Sequence, residues 1–401
     1  MTAWEYSAVL VRYGEIALKS KQTRRKMISL LACHIETALK EHGIPYERVV
    51  REYGRLFVET PSVGEATEVI SRVFGVVSCS PVVQIRSSLD EILNTGLAVV
   101  RQSFVRDRSF AVRARRVGEH SFSSQDIRER LGELIVENMQ DYGFTVNLKC
   151  PEQEVCVEVR NERAYVYTTT IKGLGGMPTG SQGKVVCAIS TGLDSPVAAY
   201  KVMKRGCIPV FVYFDNTPYC DQECTSVAIQ QAQRLARLIH DYEVRLYVVP
   251  HGPDLTEVQQ HAPAKLTCVM CKRNMLRLCR EVAKMEGADA IVTGEIIGEQ
   301  ASQTTANLRV IGNAVCDYPV LRPCAGDDKS DIERIARQIG TYEFAERSLQ
   351  CCTLPPEYPA VQAHLERVLA AEAEMDMAVF ESEIRAAKVI KLRQGSDLKR
   401  T

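Results

Sequence analysis

The sequence predicts a multidomain protein in which an N-terminal α+β region precedes an α/β domain with a doubly wound parallel sheet. Three observations lead to this prediction. Short apolar strands alternate with amphipathic helices after residue 184, the first half mixes strands and helices with a hairpin, and a glycine-rich segment separates the two patterns. A chain of 401 residues is long enough for two or three domains with cores of their own.

The N-terminal half shows both strand and helix periodicity. Residues 109–115 alternate as a strand, and apolar residues at helical spacing follow at 126–139. The other predicted elements of this half are a strand at 7–12, a basic helix start at 19–26, strands near 49–58, helices at 64–75 and 89–104, and a hairpin of 154–159 with 164–169.

The C-terminal half alternates strand and helix, and this pattern is typical of a parallel sheet. Strands are predicted at 185–189, 208–214, 244–249 and 290–293, helices at 196–204, 226–239, 274–286 and 329–339, and a charged helical tail from about 361. Ligands of such sheets bind at the carboxyl ends of the strands. Residues 190–195 and 293–295 follow strands and are therefore candidate binding segments.

Composition indicates where the protein is located and in which chemical state its cysteines are found. The chain has 50 basic and 50 acidic residues, so any surface for nucleic acid must be a local patch. It has no early apolar run like a signal peptide and no apolar run long enough to cross a bilayer, which predicts a cytoplasmic protein with no membrane partner. The 15 cysteines are then expected as thiols or metal ligands. Five of them lie in apolar surroundings and are predicted to be buried: Cys33, Cys79, Cys187, Cys207 and Cys279.

The segment 190–195 is the strongest candidate for a nucleotide site. A buried-looking strand leads into a short polar turn and then into an apolar helix start, and this arrangement presents free backbone N–H groups to phosphate. The hydroxyl groups and N–H groups of Ser190, Gly192 and Ser195 can hold a pyrophosphate, and Asp194 can hold Mg²⁺. An ordinary strand–helix turn is the alternative, because Ser, Gly and Asp are common in turns.

Cysteine pairs form the second candidate site. Cys268 and Cys271 have the CxxC spacing of a metal, iron–sulfur or redox pair, and a positive Lys272-Arg273 follows them. One of the adjacent Cys351 and Cys352 could be a third ligand, and buried or incidental thiols are the alternative. The pair Cys220 and Cys224 is a rival metal or persulfide site.

Two further segments carry groups suited to ligands. Gly294 allows close approach of a ligand to the backbone, and Gln303 and Asn307 offer hydrogen bonds to a base or ribose, although a loop and a helix cap would look the same. Two basic runs in the N-terminal half predict contact with an RNA phosphate backbone: Lys19, Lys21, Arg24 and Arg25 in the first, and Arg113, Arg115 and Arg116 in the second.

Together these segments resemble the tRNA 4-thiouridine synthetase family, also called tRNA sulfurtransferases, over the chain up to about residue 355. The resemblance is carried by Arg12–Lys19, Val112–Arg116, the glycine-rich 173–183, Ser190–Ser195, Thr293–Glu295, Gly298–Asn307, Pro319–Pro323 and Gly340–Glu343. It implies a ferredoxin-like domain at 1–62, a THUMP RNA-binding domain at 63–172, a linker at 173–183, and a PP-loop ATP pyrophosphatase domain with a helical tail at 184–401.

The resemblance also implies the chemistry: ATP adenylates O4 of a tRNA uridine, and sulfur displaces AMP to give 4-thiouridine. By matching position, nucleotide contacts fall on the 190–195 loop, Tyr213, Phe214, Lys272 or Arg273, Gly294 and Gln303. The cysteine that carries or receives sulfur matches Cys352 or its neighbour Cys351, and Asp194 matches the catalytic loop. Thiolation of another RNA base, sulfur supply for thiazole synthesis and a non-catalytic RNA-binding role stay open as alternatives.

The sequence departs from the family pattern in three ways. Thr191 replaces a glycine of the loop and Glu299 stands where glutamine is usual, and both bear on the nucleotide pocket. No C-terminal rhodanese domain to deliver a persulfide is expected, and this departure bears on the sulfur step. The short form of the family implies a [4Fe-4S] cluster on Cys268, Cys271 and one of Cys351 and Cys352, with a persulfide on Cys352 as the competing chemistry. The resemblance leaves the sulfur donor open between free sulfide and a cysteine desulfurase persulfide, and it allows a homodimer.

Overall fold

The computed structural model describes residues 5–347 and 349–392, and the chain divides into two compact units, Met1–Gly176 and Met177–Thr401. Each unit has its own sheet. None of the helices in the described ranges has the length and apolar composition that a membrane crossing requires.

The N-terminal unit mixes strands and helices as predicted. Its elements are β1 (Ala8–Tyr13), α1 (Lys21–Glu41), β2 (Arg48–Glu52), β3 (Arg55–Glu59), α2 (Val63–Ser71), β4 (Val76–Arg86), α3 (Leu89–Ser103), β5 (Ser109–Val117), α4 (Ser124–Asn138), β6 (Thr145–Val146), β7 (Gln153–Arg160), β8 (Arg163–Tyr167) and β9 (Ile171–Lys172).

The sheet of this unit runs in the order β2-β3-β1-β4-β8-β7-β5-β6, and β9 pairs with β4. The first part of β4 is antiparallel to β1, and its last residues pair with β8. One long strand therefore belongs to both halves of the sheet. The rings of Phe57 and Tyr165 stack with centroids 4.1 Å apart, and α4 begins at a capping box in which Ser123 and Asp126 bond each other's backbone.

The C-terminal unit has the predicted alternation of strand and helix. Its elements are β10 (Lys184–Ile189), α5 (Asp194–Lys204), β11 (Ile208–Asp215), α6 (Cys224–Ala236), β12 (Val244–Pro250), α7 (Gly252–His261), α8 (Thr267–Glu286), β13 (Ala290–Val292), α9 (Thr305–Gly312), β14 (Val320–Leu321), α10 (Lys329–Ile339), α11 (Tyr342–Ala345), α12 (Leu365–Ala373), α13 (Met377–Ala386) and β15 (Lys388–Leu392).

The second sheet runs in the order β14-β13-β10-β11-β12-β15. Its first five strands are parallel, so their carboxyl ends meet at one edge, and the order changes direction at β10. The last strand, β15, is antiparallel to β12. The prediction of a wholly helical tail was therefore wrong, because the tail ends in a strand with β-branched residues Val389 and Ile390 that pairs with the edge of the sheet.

Burial separates the cysteines that were predicted to lie in the core. Cys79, Cys187 and Cys279 are buried, whereas Cys33 is exposed and Cys207 is half-buried. The prediction was wrong for Cys33 because it lies on a solvent-facing position of α1, between the buried Ala32 and His34. Apolar neighbours in sequence do not bury a helical residue whose own position faces away from the sheet.

The C-terminal segment is tied to the interior through a buried ion pair. The guanidinium of Arg273, only 1 % exposed, donates to Glu372 of α12 at 2.6 and 2.9 Å and to the carbonyl of Val310, and Arg277 reaches Glu372 at 2.7 Å. Burial raises the pKa of Glu372, but the two arginines more than offset it and lower the pKa overall. Arg273 was a candidate for a nucleotide contact, but in the structure its guanidinium is bound to Glu372 and to the carbonyl of Val310.

We expect Glu372→Ala to lower the free energy of unfolding by about 3 to 5 kcal/mol, because it leaves the charge of Arg273 buried without a partner. Guanidinium unfolding followed by far-UV circular dichroism measures the change. Glu381→Ala is the matched control, since Glu381 pairs with Arg385 in the open, and it is expected to cost less than about 1 kcal/mol. Equal losses in the two variants would contradict the assignment.

Candidate active site

The loop between β10 and α5 closes on itself through its hydroxyl groups. The hydroxyl of Ser195 accepts a hydrogen bond from the backbone N–H of Ser190 at 2.8 Å and lies 2.8 Å from the Ser190 hydroxyl. The N–H of Gly192 donates to Ser190 Oγ at 3.2 Å. The loop is thus fixed at the first turn of α5, which begins at Asp194, two residues before the predicted start. Such a helix start favours negative charge.

Gly294 lies directly against this loop. It follows β13, the parallel neighbour of β10 in the sheet. A Cβ atom on Gly294 would lie 2.5 Å from the backbone nitrogen of Ser195 and 2.7 Å from the carbonyl carbon of Asp194. Only glycine fits where these two backbone segments approach each other. The sequence analysis proposed Gly294 for the approach of a ligand, and in the structure the group that approaches it is the backbone of Asp194 and Ser195.

A lysine that the sequence analysis missed binds the loop aspartate. Lys329 Nζ, at the start of α10, lies 2.8 Å from Asp194 Oδ1 and 2.6 Å from Glu299 Oε1. Burial raises the pKa of Asp194, and the lysine opposes that shift. Glu299, the departure from the family pattern, is therefore one of two carboxylates that share a single ammonium group.

Glu295, the residue after Gly294, carries a buried carboxylate. Glu295 accepts from Arg322 Nε at 2.7 Å and from the hydroxyl of Thr293 at 2.8 Å, and Lys272 Nζ lies 3.5 Å away. Burial raises the pKa of Glu295, but the charges of Lys272 and Arg322 more than offset it, and the pKa is lowered overall. The ammonium group of Lys272 therefore lies near the carboxyl ends of the parallel strands, whereas the guanidinium of Arg273 does not.

The remaining candidates for nucleotide contact are mostly buried. Tyr213 and Phe214 lie near the end of β11 with their side chains in the interior, and the Phe214 ring packs on His251 with centroids 5.3 Å apart. The side-chain oxygen of Gln303 accepts from the N–H of Ile296 at 3.4 Å, and buried Asn307 bonds backbone carbonyls. These groups shape the edge of the sheet from within.

The CxxC pair lies on a helix. Helix α8 begins at Thr267, seven residues before the predicted start, so Cys268 and Cys271 lie three residues apart on one helical face. Burial raises the pKa of Cys268 to about 11, and the neighbouring Cys271 and Cys352 add to the shift. Burial also raises the pKa of Cys352, with a contribution from Cys271. A further contribution to the pKa of Cys352 comes from Cys220, so the surroundings of Cys352 include a member of each thiol pair.

The other member of the adjacent pair, Cys351, contacts the loop between β10 and α5. Its sulfur lies 2.5 Å from the hydroxyl of Thr191, the residue that replaces a glycine of the family. Burial raises the pKa of Cys224 to about 12, with further contributions from Cys351 and Cys220, so the Cys220 and Cys224 pair lies on this side. Thr191 was unexplained by sequence and has a definite partner in the fold.

Backbone hydrogen bonds fix the segment that carries Cys351. Asp221 N donates to the carbonyl of Gln350 at 3.0 Å, and Gln350 N donates back to the Asp221 carboxylate at 2.7 Å. The Asn216 amide donates to the carbonyl of Cys351 at 2.8 Å, and Thr353 N donates to the carbonyl of Tyr219 at 2.8 Å. The loop after β11 thus holds residues 350–353 against the carboxyl edge of the sheet.

A buried histidine that the sequence analysis also missed faces the CxxC pair. His251 follows β12, is fully buried, and its Nε2 lies 3.5 Å from Cys271 Sγ. Burial lowers the pKa of His251, but hydrogen bonds with Cys271 and Glu383 more than offset this and raise it well above the usual range. Burial raises the pKa of the nearby Asp254 to about 6.

The predicted RNA contacts all lie in the N-terminal unit. Lys19, Lys21 and Arg25 are exposed around the start of α1, and the Arg24 guanidinium lies over the exposed ring of Tyr53 at 5.9 Å. On β5, Arg115 and Arg116 are exposed, whereas Arg113 pairs with Glu154 at 2.8 Å. Among the contacts of the described residues, Arg113 has a carboxylate partner, and the other six side chains have none.

The C-terminal unit has the architecture of a nucleotide-binding α/β protein: a parallel sheet, a hydroxyl-rich loop closed on a helix start, and a glycine from the next strand packed against that loop. The family description "Thiamine biosynthesis protein (ThiI)" matches residues 180–377, the ThiI ferredoxin-like domain matches 8–80, and the THUMP domain matches 86–169. The predicted order of the three domain types is confirmed.

The chain belongs to the tRNA sulfurtransferase family. It is 40 % identical over 391 residues to a probable tRNA sulfurtransferase of Methanosarcina mazei, covering 97 % of this chain and 96 % of that protein. It is 38 % identical to a probable tRNA sulfurtransferase of Moorella thermoacetica, with 94 % of each chain covered. The family resemblance drawn from the sequence is confirmed.

Two solved structures extend the comparison. The crystal structure of a 4-thiouridine synthetase–RNA complex with bound ATP has a TM-score of 0.86 and 28 % identity, covering 97 % of this chain and all of that one. A protein from Pyrococcus horikoshii has a TM-score of 0.65 and 27 % identity, covering 83 % of this chain and 99 % of that one.

Proposed function

We propose that this chain is a cytoplasmic tRNA sulfurtransferase that uses ATP to convert a tRNA uridine to 4-thiouridine. Uracil O4 attacks the α-phosphorus of ATP and releases pyrophosphate, and sulfur then replaces the adenylated oxygen and releases AMP. The observation that carries the proposal is the contact of Cys351 with Thr191, because it brings a thiol to the loop that would hold ATP. A carbonyl oxygen leaves poorly, and adenylation makes it a good leaving group.

The loop would bind the phosphates of ATP. The hydroxyl groups of Ser190 and Ser195, which accept from the N–H groups of Gly192 and Ser190, would donate to the phosphates, and Gly294 lets the backbone of the next strand approach them. Lys272 adds positive charge at the same edge. Donors aimed at the pyrophosphate stabilise the negative charge that develops as it leaves.

Mg²⁺ fits the carboxylates of this edge. Asp194 and Glu299 share the ammonium group of Lys329, so the structure already holds one cation between them. Carboxylate oxygens are the ligands that Mg²⁺ prefers. We therefore propose Asp194 as the residue that would hold the ion against the phosphates, with Glu299 beside it, in exchange for the lysine.

The thiols fit an iron–sulfur cluster better than a single ion. In the described ranges no three His, Cys, Asp or Glu side chains converge on one metal ion. Cys268 and Cys271 nevertheless lie one helical turn apart on α8, and a cluster takes each thiolate on a different iron. Cys352 is a third thiol whose pKa is raised in part by Cys271. We propose these three as the ligands of a [4Fe-4S] cluster, which when bound would offer an open iron to sulfide.

This assignment leaves Cys351 free to face the loop and the adenylated base. It separates the two members of the adjacent pair by role, with Cys352 toward the CxxC thiols and Cys351 toward ATP. The N-terminal unit would hold the tRNA through phosphate contacts from the exposed basic residues around α1 and on β5. We propose free sulfide, which already has the oxidation level of the product, as the sulfur source, and a homodimer as the assembly. The alternative source is a cysteine desulfurase persulfide carried on Cys352: its outer sulfur would displace AMP, Cys268 or Cys271 would attack the Cys352 sulfur to release 4-thiouridine, and an added thiol would reduce the disulfide that is left.

Anaerobic purification followed by a thiolation assay tests the proposal. With ATP, Mg²⁺, tRNA and sulfide, nucleoside mass spectrometry is expected to find 4-thiouridine in the tRNA, with pyrophosphate released in step. Omission of ATP is the matched control and should give neither product. Thiolation at another base, sulfur transfer only to a thiazole precursor, or tRNA binding without pyrophosphate release would each overturn the proposal in favour of another function.

A further inference from the structure

Cys271 is in contact with a polar group that is completely removed from water. The imidazole of His251 is 0 % exposed, and its Nε2 lies 3.5 Å from the sulfur of Cys271. The residue comes from the end of β12 and the thiol from α8, so tertiary packing alone brings them together. Cys268, one helical turn away, has no such partner in the contacts of the described residues.

The other side of the ring is fixed by the C-terminal segment. Glu383 of α13, 1 % exposed, places Oε2 at 3.2 Å from His251 Nδ1, and its Oε1 accepts from the backbone N–H of Asp254 at 2.8 Å. A carboxylate held at two points leaves the imidazole one orientation. Glu383 lies beyond residue 377, where the family match ends.

The surroundings of the ring are polar at every nitrogen. Asp254 Oδ2 lies 3.4 Å from Nε2 and has no hydrogen-bond partner, whereas Oδ1 accepts from the Asn274 amide at 2.7 Å. Buried polar groups cost free energy unless hydrogen bonds compensate them. A purely structural contact between β12 and α8 would be more stable with apolar side chains, so this cluster points to a role at the thiol.

We propose that His251 is a positioning residue for Cys271, and that Glu383 fixes the imidazole so that Nε2 is directed at the sulfur. The C-terminal segment is then part of the sulfur site. In proteins that bind metals through thiolates, such neighbouring hydrogen bonds orient the ligand and tune its reactivity. The inference deepens the proposed function, on which its role in sulfur transfer rests, but the arrangement itself is testable without ATP, tRNA or iron.

The test uses the full chain, reduced and free of metal, at one fixed pH. Iodoacetamide labelling at Cys271 is compared with labelling at Cys268 on the same helix by peptide mass spectrometry. A hydrogen bond from Nε2 holds the sulfur of Cys271 in one orientation, and a nucleophile fixed in orientation reacts faster than one that rotates freely. His251→Gln and Glu383→Gln are each expected to lower the ratio of Cys271 to Cys268 labelling about fivefold, the equivalent of a hydrogen bond worth about 1 kcal/mol.

Glu372→Gln is the matched control, because Glu372 also ties the C-terminal segment to α8 but contacts Arg273 and Arg277 instead of His251. It should lower the melting temperature and leave the labelling ratio unchanged. Glu383→Gln keeps the size of the side chain, so the labelling ratio can be measured with this variant even if His251→Gln does not fold.

Two results would overturn the inference: an unchanged ratio in Glu383→Gln, or the same change in Glu372→Gln. The labelling readout needs no turnover. If the variants give the expected labelling ratios but the unaltered chain forms no 4-thiouridine, the proposed function is wrong and the role of His251 stands. In iron-reconstituted protein reduced with dithionite, the two glutamine variants at His251 and Glu383 should also shift the electron paramagnetic resonance spectrum, and the Glu372 variant should not.

Discussion

Gly294→Ala is expected to lower ATP-dependent pyrophosphate release at least about 100-fold while tRNA binding stays unchanged. The new Cβ would lie 2.5 Å from Ser195 N and 2.6 Å from Ser195 Cα, and these are backbone atoms that cannot rotate away. The loop must therefore move, and displacement of a catalytic group by about 1 Å can cost about 100-fold in rate. A pyrophosphate assay with tRNA and ATP measures the loss, and a filter assay measures tRNA binding.

Gly326→Ala is the control for this change. A Cβ at Gly326 has no atom within 4 Å, so the same substitution elsewhere in the C-terminal unit should leave the rate unaltered. Full activity of Gly294→Ala would show that the loop adapts, and the site would then have to be sought away from β13.

Cys268→Ala is expected to abolish thiolation and reduce bound iron while ATP-dependent pyrophosphate release from tRNA continues. The reason is that Cys268 lies on α8, where we propose the cluster, whereas the loop proposed to hold ATP lies between β10 and α5. Iron and sulfide analysis after anaerobic purification, with nucleoside mass spectrometry of the tRNA, measures both effects.

The adjacent cysteines and an exposed one supply the controls. Cys352→Ala should lose iron as Cys268→Ala does, Cys351→Ala should retain it, and the exposed Cys316→Ala should behave like the unaltered chain. Undiminished thiolation in Cys268→Ala, or equal iron loss in Cys351→Ala and Cys352→Ala, would rule out the ligand assignment.

The sequence was sufficient where local pattern decides the structure. Alternating strands and helices predicted the parallel sheet, and the strand–turn–helix at 184–204 predicted the loop, because both depend on periodicity and on residues next to one another. The candidate thiols were also visible, since CxxC spacing is local.

Sequence reasoning could not find partners that the fold brings together from far apart. Lys329 lies 135 residues from the Asp194 that it binds, and Glu383 lies 132 residues from His251. Burial was equally invisible: Lys272 and Arg273 are neighbours of like charge, yet one faces Glu295 and the other is enclosed with Glu372. No propensity distinguishes two such residues before the helix has packed.

The adjacency of Cys351 and Cys352 has a mechanical consequence. One peptide unit, with about 3.8 Å between its Cα atoms, joins the thiol that contacts Thr191 to the thiol of Cys352. Hydrogen bonds from Asn216 to the carbonyl of Cys351 and from Thr353 to the carbonyl of Tyr219 hold the backbone on both sides. The distance between the two sulfurs is therefore limited to the reach of two cysteine side chains, whichever rotamers they adopt.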